Sequence, residues 1–277
     1  MSPFVSGFII SNHPSSLHKN DKKLFFFYIN FLKLLFQVKE VCYINLMNNF
    51  MEDNIMNFLS IFDVIGPNMI GPSSSHTAGA CAIGLLARKM LAQEVKKVTF
   101  TLYGSFSKTY HGHGTDRALL GGILGFSTDD ERIRDAFELA KEWGVEYEFI
   151  IDEETVMNHP NTADIDLIGT EGHTLSIRGE SIGGGKIRIA RINNIDVEFT
   201  GEYSTLIVQQ IDKPGVVAHI TQCLAEENVN IAFMRLFRED KGAKAYTVVE
   251  SDEQIPAAVL DQIKTNQHVT ELMLVQM

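Results

Sequence analysis

The chain reads as an α+β protein: a mixed helix-and-strand region followed by a ferredoxin-like βαββαβ unit. Three observations carry that reading. Helical spacing dominates from about Thr77 to Gly144, a strand-rich stretch follows from Val145 to about Glu202, and the remainder alternates between the two periods. With 277 residues, 45 % hydrophobic and 21 % charged, the chain is long enough to build two or three cores.

The elements follow in order. FLSIFDVIGP reads as a short apolar helix or turn stopped by Gly66-Pro67, and Gly71-Pro72 introduces a serine run. A helix is predicted from about Thr77 to Leu91, because Ile83, Leu86, Ala87 and Met90 recur at helical spacing. VKKVTFTLYGS alternates as a strand, FSKTYHGHGTD reads as a glycine- and histidine-bearing loop, and RALLGGILGF reads as a helix. DDERIRDAFELAKEWG is the plainest helix: acidic residues crowd its first turn, Ile133, Phe137 and Ala140 line one face, and Gly144 stops it. LSIRGESIGGGKIRIARI reads as two strands around a Gly-rich turn. STLIVQQI, VVAHITQCLAEEN, VNIAFMRLFRE, KAYTVVES, IPAAVLDQIKTN and VTELMLVQ then give strand, helix, strand, strand, helix and strand.

The first fifty residues differ in kind. Phe, Tyr, Ile, Asn and Lys dominate them, and KKLFFFYINFLKLLFQVKEV has no clear period. Its apolar run is shorter than the roughly 20 residues that span a bilayer, Lys33 interrupts it, and no small-residue cleavage site follows. Those residue types share AT-rich codons, so residues 1–56 are expected to be a non-native or disordered extension, with the true start at Met47, Met51 or Met56. An amphipathic membrane anchor is the competing reading. The expected domains are then 57–200 and 201–277.

A formal net charge of −11 argues against nucleic acid and anionic membrane as partners. Only Cys42, Cys81 and Cys223 occur, with no CxxC pair, which points to a reducing, cytoplasmic setting and leaves the chain without the usual thiolates for an iron–sulfur cluster.

GPSSSHTAGA puts Ser73, Ser74, Ser75, His76 and Thr77 where a helix begins. One hydroxyl is enough to cap a helix. Five polar residues offer more donors than capping uses, which at the positive end of a helix suits a carboxylate or phosphate. Ala78, Gly79, Ala80 and Gly84 would let another backbone or a partner surface approach closely. A polar loop that merely caps the helix is the alternative. A nucleophilic Ser75–His76 pair is disfavoured, since adjacent side chains do not normally point at each other.

In YHGHGTDRA, His111 and His113 would share one side of an extended segment, as metal ligands sometimes do, but no third ligand follows at short range and no metal is assigned. The favoured reading is a mobile loop bringing a histidine, Asp116 or Arg117 to a pocket edge, with Thr115 capping the next helix. SIGGGKI lacks phosphate-loop spacing and reads as a hairpin turn, and MNHPNTAD reads as a turn around Pro160. In IDKPGVVAHI, Asp212, Lys213, Pro214 and Gly215 lead from strand to helix. They form either a small-ligand site with Asp212 on an amino group or a plain connection.

SIFDVIGPNMIGPSSSHTAGA, HGHGTDRALLGGILGFSTDDERI, MNHPNT, SIGGGKI and DKPGVVA together closely resemble the beta subunit of the two-chain iron–sulfur L-serine dehydratases of bacteria, from about Phe58 to the C-terminus. The final unit is similar to an ACT domain, and the middle segment to the domain beside ACT domains in some phosphoglycerate dehydrogenases. The resemblance implies a cytoplasmic lyase of amino-acid catabolism that converts L-serine to pyruvate and ammonia without pyridoxal phosphate. It implies a [4Fe-4S] cluster held by three cysteines on a separate alpha subunit, without which this chain is inactive. It implies His76 as the catalytic residue and Ser73, Ser74, Ser75, Thr77, His111, His113 and Asp116 around the serine pocket. An effector site at Asp212, Lys213, Pro214 and Gly215 and a homodimer contact through the ACT domain complete it. The rival class is a non-catalytic, amino-acid-sensing regulatory protein built from the same modules.

Overall fold

A computed structural model describes residues 68–276; FLSIFDVIGP and the 1–56 extension lie outside the described residues. A π-helical turn, Ser74–Ala78, leads into α1 (Gly79–Leu91) and β1 (Val95–Tyr103). Next come α2 (Gly104–His113), α3 (Thr115–Ile123), a 3-10 turn at Glu131–Asp135, α4 (Ala136–Glu142) and β2 (Glu146–Asp152). Four strands follow: β3 (Asn161–Gly169), β4 (Thr174–Gly183), β5 (Lys186–Ile192) and β6 (Ile195–Phe199). The remainder is β7 (Ser204–Ile211), α5 (Val216–Glu226), β8 (Phe233–Arg238), β9 (Lys244–Ser251), α6 (Ala257–Lys264) and β10 (Val269–Val275).

The first sheet has the order β2-β1-β3-β4-β5-β6. β1 and β2 run parallel across the helical connection, and the other neighbours are antiparallel. Register brings Phe100 of β1 opposite Ile165 of β3, and Ile165 opposite Ile177 of β4, so one face is continuously apolar. Ile83, Leu86, Ala87 and Met90 of α1 and Leu119, Leu120 and Ile123 of α3 are buried in the same core.

The second sheet has the order β10-β7-β9-β8, as expected of a βαββαβ unit. Alternation along β7 divides its residues between two cores. Leu206 and Val208 pack with α5 and α6, while Ile207 joins Tyr246, Val248, Met273 and Val275 in the larger core of the first sheet and α1. Among the described residues, no helix is long and apolar enough to cross a membrane.

Four expectations change. FSKTYHGHGTD is not a loop: Phe106 sinks into the core and Tyr110, one turn later, packs against it, so the segment coils as α2 despite its glycines. Thr115 does not cap α3; Gly114, at φ +66°, is the N-cap and makes no side-chain bond, while Thr115 is buried. DDERIRDAFELAKEWG is broken. Asp130 caps a 3-10 turn by accepting from Arg132 N–H, and α4 starts only at Ala136. The helix placed from Thr77 starts as an α-helix at Gly79, after the π-helical turn.

Candidate functional site

The site forms where the π-helical turn meets the start of α2. Ser73, in extended backbone, caps the turn: its Oγ accepts from His76 N–H at 3.1 Å. His76 lies in this π-helical turn and faces Ser105, on the first turn of α2.

His76 therefore has a partner on each ring nitrogen. Nδ1 lies 3.0 Å from Ser75 Oγ and 3.5 Å from Ser73 Oγ, and Nε2 lies 2.8 Å from Ser105 Oγ. The adjacent Ser75 and His76 do point at each other, against expectation, within the π-helical turn. Phe106 meets the His76 ring edge-on at 5.5 Å, and the His113 ring lies 4.7 Å away. Burial, and secondarily the nearby His113, hold the His76 imidazole below the ordinary histidine range. The ring is consequently neutral near pH 7 and able to take up a proton.

Thr77 is the second tie between the segments, donating from Oγ1 to the His113 carbonyl at 2.8 Å. Ser74 contributes backbone, its carbonyl accepting from Gly79 N–H. The small residues of α1 admit the chain's own backbone: a Cβ on Gly84 would stand 2.3 Å from the Leu119 carbonyl oxygen.

His111 and His113 do not share a side. Two residues apart on a helix, they diverge, and only His113 reaches His76. The His111 side chain is 76 % exposed and bonds the buried Asp116 carboxylate at 2.9 Å; the other Asp116 oxygen accepts from Arg117 N–H. Among the described residues no group of three or more His, Cys, Asp or Glu is placed to hold a metal ion. Cys81 and Cys223 are buried in different cores, and burial, with Asp130 and Asp129 nearby, pushes the Cys81 thiol up to about 12. Cys42 lies outside the described residues. These residues do not fit an iron–sulfur cluster.

Ser105 is the residue that sequence reasoning missed. Its backbone is fixed from the segment around Pro160: Ser105 N–H donates to the Pro160 carbonyl at 2.7 Å, and Gly104 bridges Asn161. Gly104 sits at φ +57° with the Pro160 oxygen 2.5 Å from where a Cβ would be, so only glycine fits the corner. The YGS and HPN triplets were the available signal, each uninformative without the other.

In the second sheet, Asp212 is already engaged. Its Oδ2 accepts from Arg238 Nη1 and from Gly242 N–H, both at 3.1 Å, and the Gly242 bond chiefly draws its carboxyl below the usual range. Gly215, at φ +90°, caps α5 after Lys213 and Pro214. An incoming amino group would have to compete with Arg238 for that carboxylate.

Fold and site define a two-sheet α+β protein with a hydroxyl-flanked histidine in the turn before α1 and a ferredoxin-like unit around its second sheet. Residues 60–191 match the serine dehydratase beta chain family and residues 204–266 the ACT domain. The chain is 43 % identical over 208 residues to a probable L-serine dehydratase beta chain of Bacillus subtilis, covering 75 % of this chain and 94 % of that protein. It is 46 % identical over 176 residues to the L-serine dehydratase beta chain of Peptoniphilus asaccharolyticus, covering 64 % and 79 %. A D-3-phosphoglycerate dehydrogenase of Bacillus subtilis is 23 % identical over 197 residues, 70 % of this chain and 37 % of that one. The chain belongs to the serine dehydratase beta chain family.

Proposed function

We propose that this chain is the beta subunit of a two-chain, cytoplasmic L-serine dehydratase. With a cysteine-bearing alpha subunit it converts L-serine to pyruvate and ammonia. The observation that carries the reading is His76, held neutral by burial between Ser75 and Ser105 on a chain that belongs to this family.

In the reaction, L-serine loses its Cα proton and its hydroxyl as water, and the resulting aminoacrylate tautomerises and hydrolyses to pyruvate and ammonia. His76 moves the proton, and the hydroxyls of Ser73, Ser75 and Thr77 offer donors to the substrate carboxylate. Ser74 and His113 complete this wall, while His111 and Asp116 lie at its edge. The cluster belongs to the alpha subunit. Residues 57–200 form the site-bearing domain and 201–277 the ACT domain, with 1–56 an extension. The ACT domain takes an amino acid at the Asp212–Gly215 loop and pairs with a second copy; support comes from the open edge of β8, where Phe233 and Leu236 are exposed.

The test uses the complex of both chains, assayed without oxygen. His76→Ala is expected to lower pyruvate formation by about 100- to 10,000-fold, the usual worth of a positioned proton carrier, with co-purification of the alpha subunit unchanged. Unaltered kinetics would remove His76 from the chemistry, and a wild-type complex without dehydratase activity would favour the sensor.

A further inference from the structure

We infer that Ser105 is a positioning residue that holds His76 in the tautomer with the proton on Nε2, leaving Nδ1 as the basic nitrogen on the serine-run side. The inference rests on the reading of His76 given above and on a relay of hydroxyl protons that runs into Nδ1.

The backbone N–H of His76 can only donate, so Ser73 Oγ receives it at 3.1 Å. The Ser73 hydroxyl proton then has Ser75 Oγ at 3.4 Å and His76 Nδ1 at 3.5 Å within reach. If it goes to Nδ1, that nitrogen is an acceptor. If it goes to Ser75, the Ser75 proton is free to pass on to Nδ1 at 3.0 Å, which makes Nδ1 again an acceptor. A neutral imidazole carries one N–H, which we accordingly place on Nε2, donating to Ser105 Oγ at 2.8 Å; the reverse relay, Nδ1–H to Ser75 with the Ser105 hydroxyl donating to Nε2, gives the opposite spectrum. His113 is the titratable group facing the ring from α2 and, itself a histidine, gives that N–H no carboxylate to prefer. The Gly104–Ser105 corner is locked by Pro160 and Asn161, so the acceptor stands in place before any substrate arrives.

An acceptor on Nε2–H stabilises the imidazolium more than the neutral ring, because a hydrogen bond from a charged donor is the stronger. Removing it should lower the His76 pKa further and mix the tautomers. The experiment is long-range 1H–15N NMR on the full-length chain at increasing pH, with His76 assigned by the signal lost in His76→Ala. Wild type is expected to show the Nε2–H pattern and to titrate below the ordinary midpoint of about 6.5. Ser105→Ala should show averaged tautomer shifts and a lower midpoint, and Ser105→Thr, which keeps the hydroxyl, should restore both. In the two-chain complex Ser105→Ala should lower kcat about 10- to 100-fold, with KM little changed. A wild-type Nδ1–H pattern, or a tautomer and midpoint untouched in Ser105→Ala, would overturn the inference. Because the spectrum reports on His76 whether or not the complex turns over, active His76→Ala complexes would sink the catalytic role alone.

Discussion

Asp164, buried on β3, accepts four hydrogen bonds. Arg178 grips it from Nε and Nη2 at 2.6 and 2.7 Å, Arg191 reaches it from Nη2 at 2.8 Å, and the Tyr103 hydroxyl donates at 3.0 Å. Burial, then the Asp164 charge, raise the Tyr103 phenol above its usual range, so it remains a donor throughout the physiological span. One carboxylate on β3 thus ties that strand to β1, β4 and β5. Asp164→Ala would leave two guanidinium groups uncompensated, and because both still reach water the expected cost is about 3 kcal/mol, at the low end for breaking a buried pair. Urea unfolding measures it; a loss within 0.5 kcal/mol, as for an ordinary surface site, would show that water replaces the carboxylate without penalty.

Among the elements, α1 and α3 approach closely enough for backbone to meet backbone. A Cβ on Gly122 would lie 2.2 Å from the Cys81 carbonyl oxygen and 2.5 Å from Leu85 N, so backbone meets backbone there with no side chain able to yield. Gly122→Ala should force the helices apart and cost about 3 kcal/mol or more, the upper part of the overpacking range, read as a fall in thermal midpoint. Gly144→Ala, by contrast, faces open space and pays only for its φ of +72°, so it should cost less than Gly122→Ala. These glycines show how the elements were legible. RALLGGILGF reads as a helix from its apolar spacing, but nothing in the string says that Gly122, the second of its two central glycines, faces a second backbone. The same limit hid α2: its stripe is only Phe106 and Tyr110, and Gly112 and Gly114 after them argued for a loop. Strands β7, β9 and β10 were readable almost residue for residue, whereas β8 starts only at Phe233, four residues into VNIAFMRLFRE. The serine run was readable as a polar helix start. Its partner Ser105, 29 residues on, was not, because a hydroxyl after a strand has no local signature.

Across the whole molecule the two sheets share one core, and polar ties surround it. Tyr246 receives Asn193 Nδ2–H at 2.9 Å and donates to Gln209 at 2.8 Å, His173 pairs with Glu271 at 2.9 Å, and Lys89 donates to the Gln276 carbonyl at 2.7 Å. Each joins residues distant in the chain, so composition and periodicity gave no notice of them. Glu250 is the costly member of this contact. It lies buried on β9 near the connection between the sheets, with one carboxylate oxygen lacking a partner, and burial raises its pKa above the ordinary glutamate value. The N–H of Thr200 and the charge of Arg235 pull the other way, while Glu202 and Glu198 add to the rise. A carboxyl whose pKa is higher in the folded than in the unfolded chain stabilises the fold below the unfolded value of about 4.3 and loses that contribution as pH rises through the folded value. Above that window the native state carries a charge it would rather not hold. Glu250→Gln keeps the shape and stays neutral, so the thermal midpoint of the variant minus that of wild type should be near zero at pH 4 and positive at pH 7.5. A difference that does not change with pH would mean that Arg235 already offsets the buried charge, and that the contact between the sheets is insensitive to protonation at this residue.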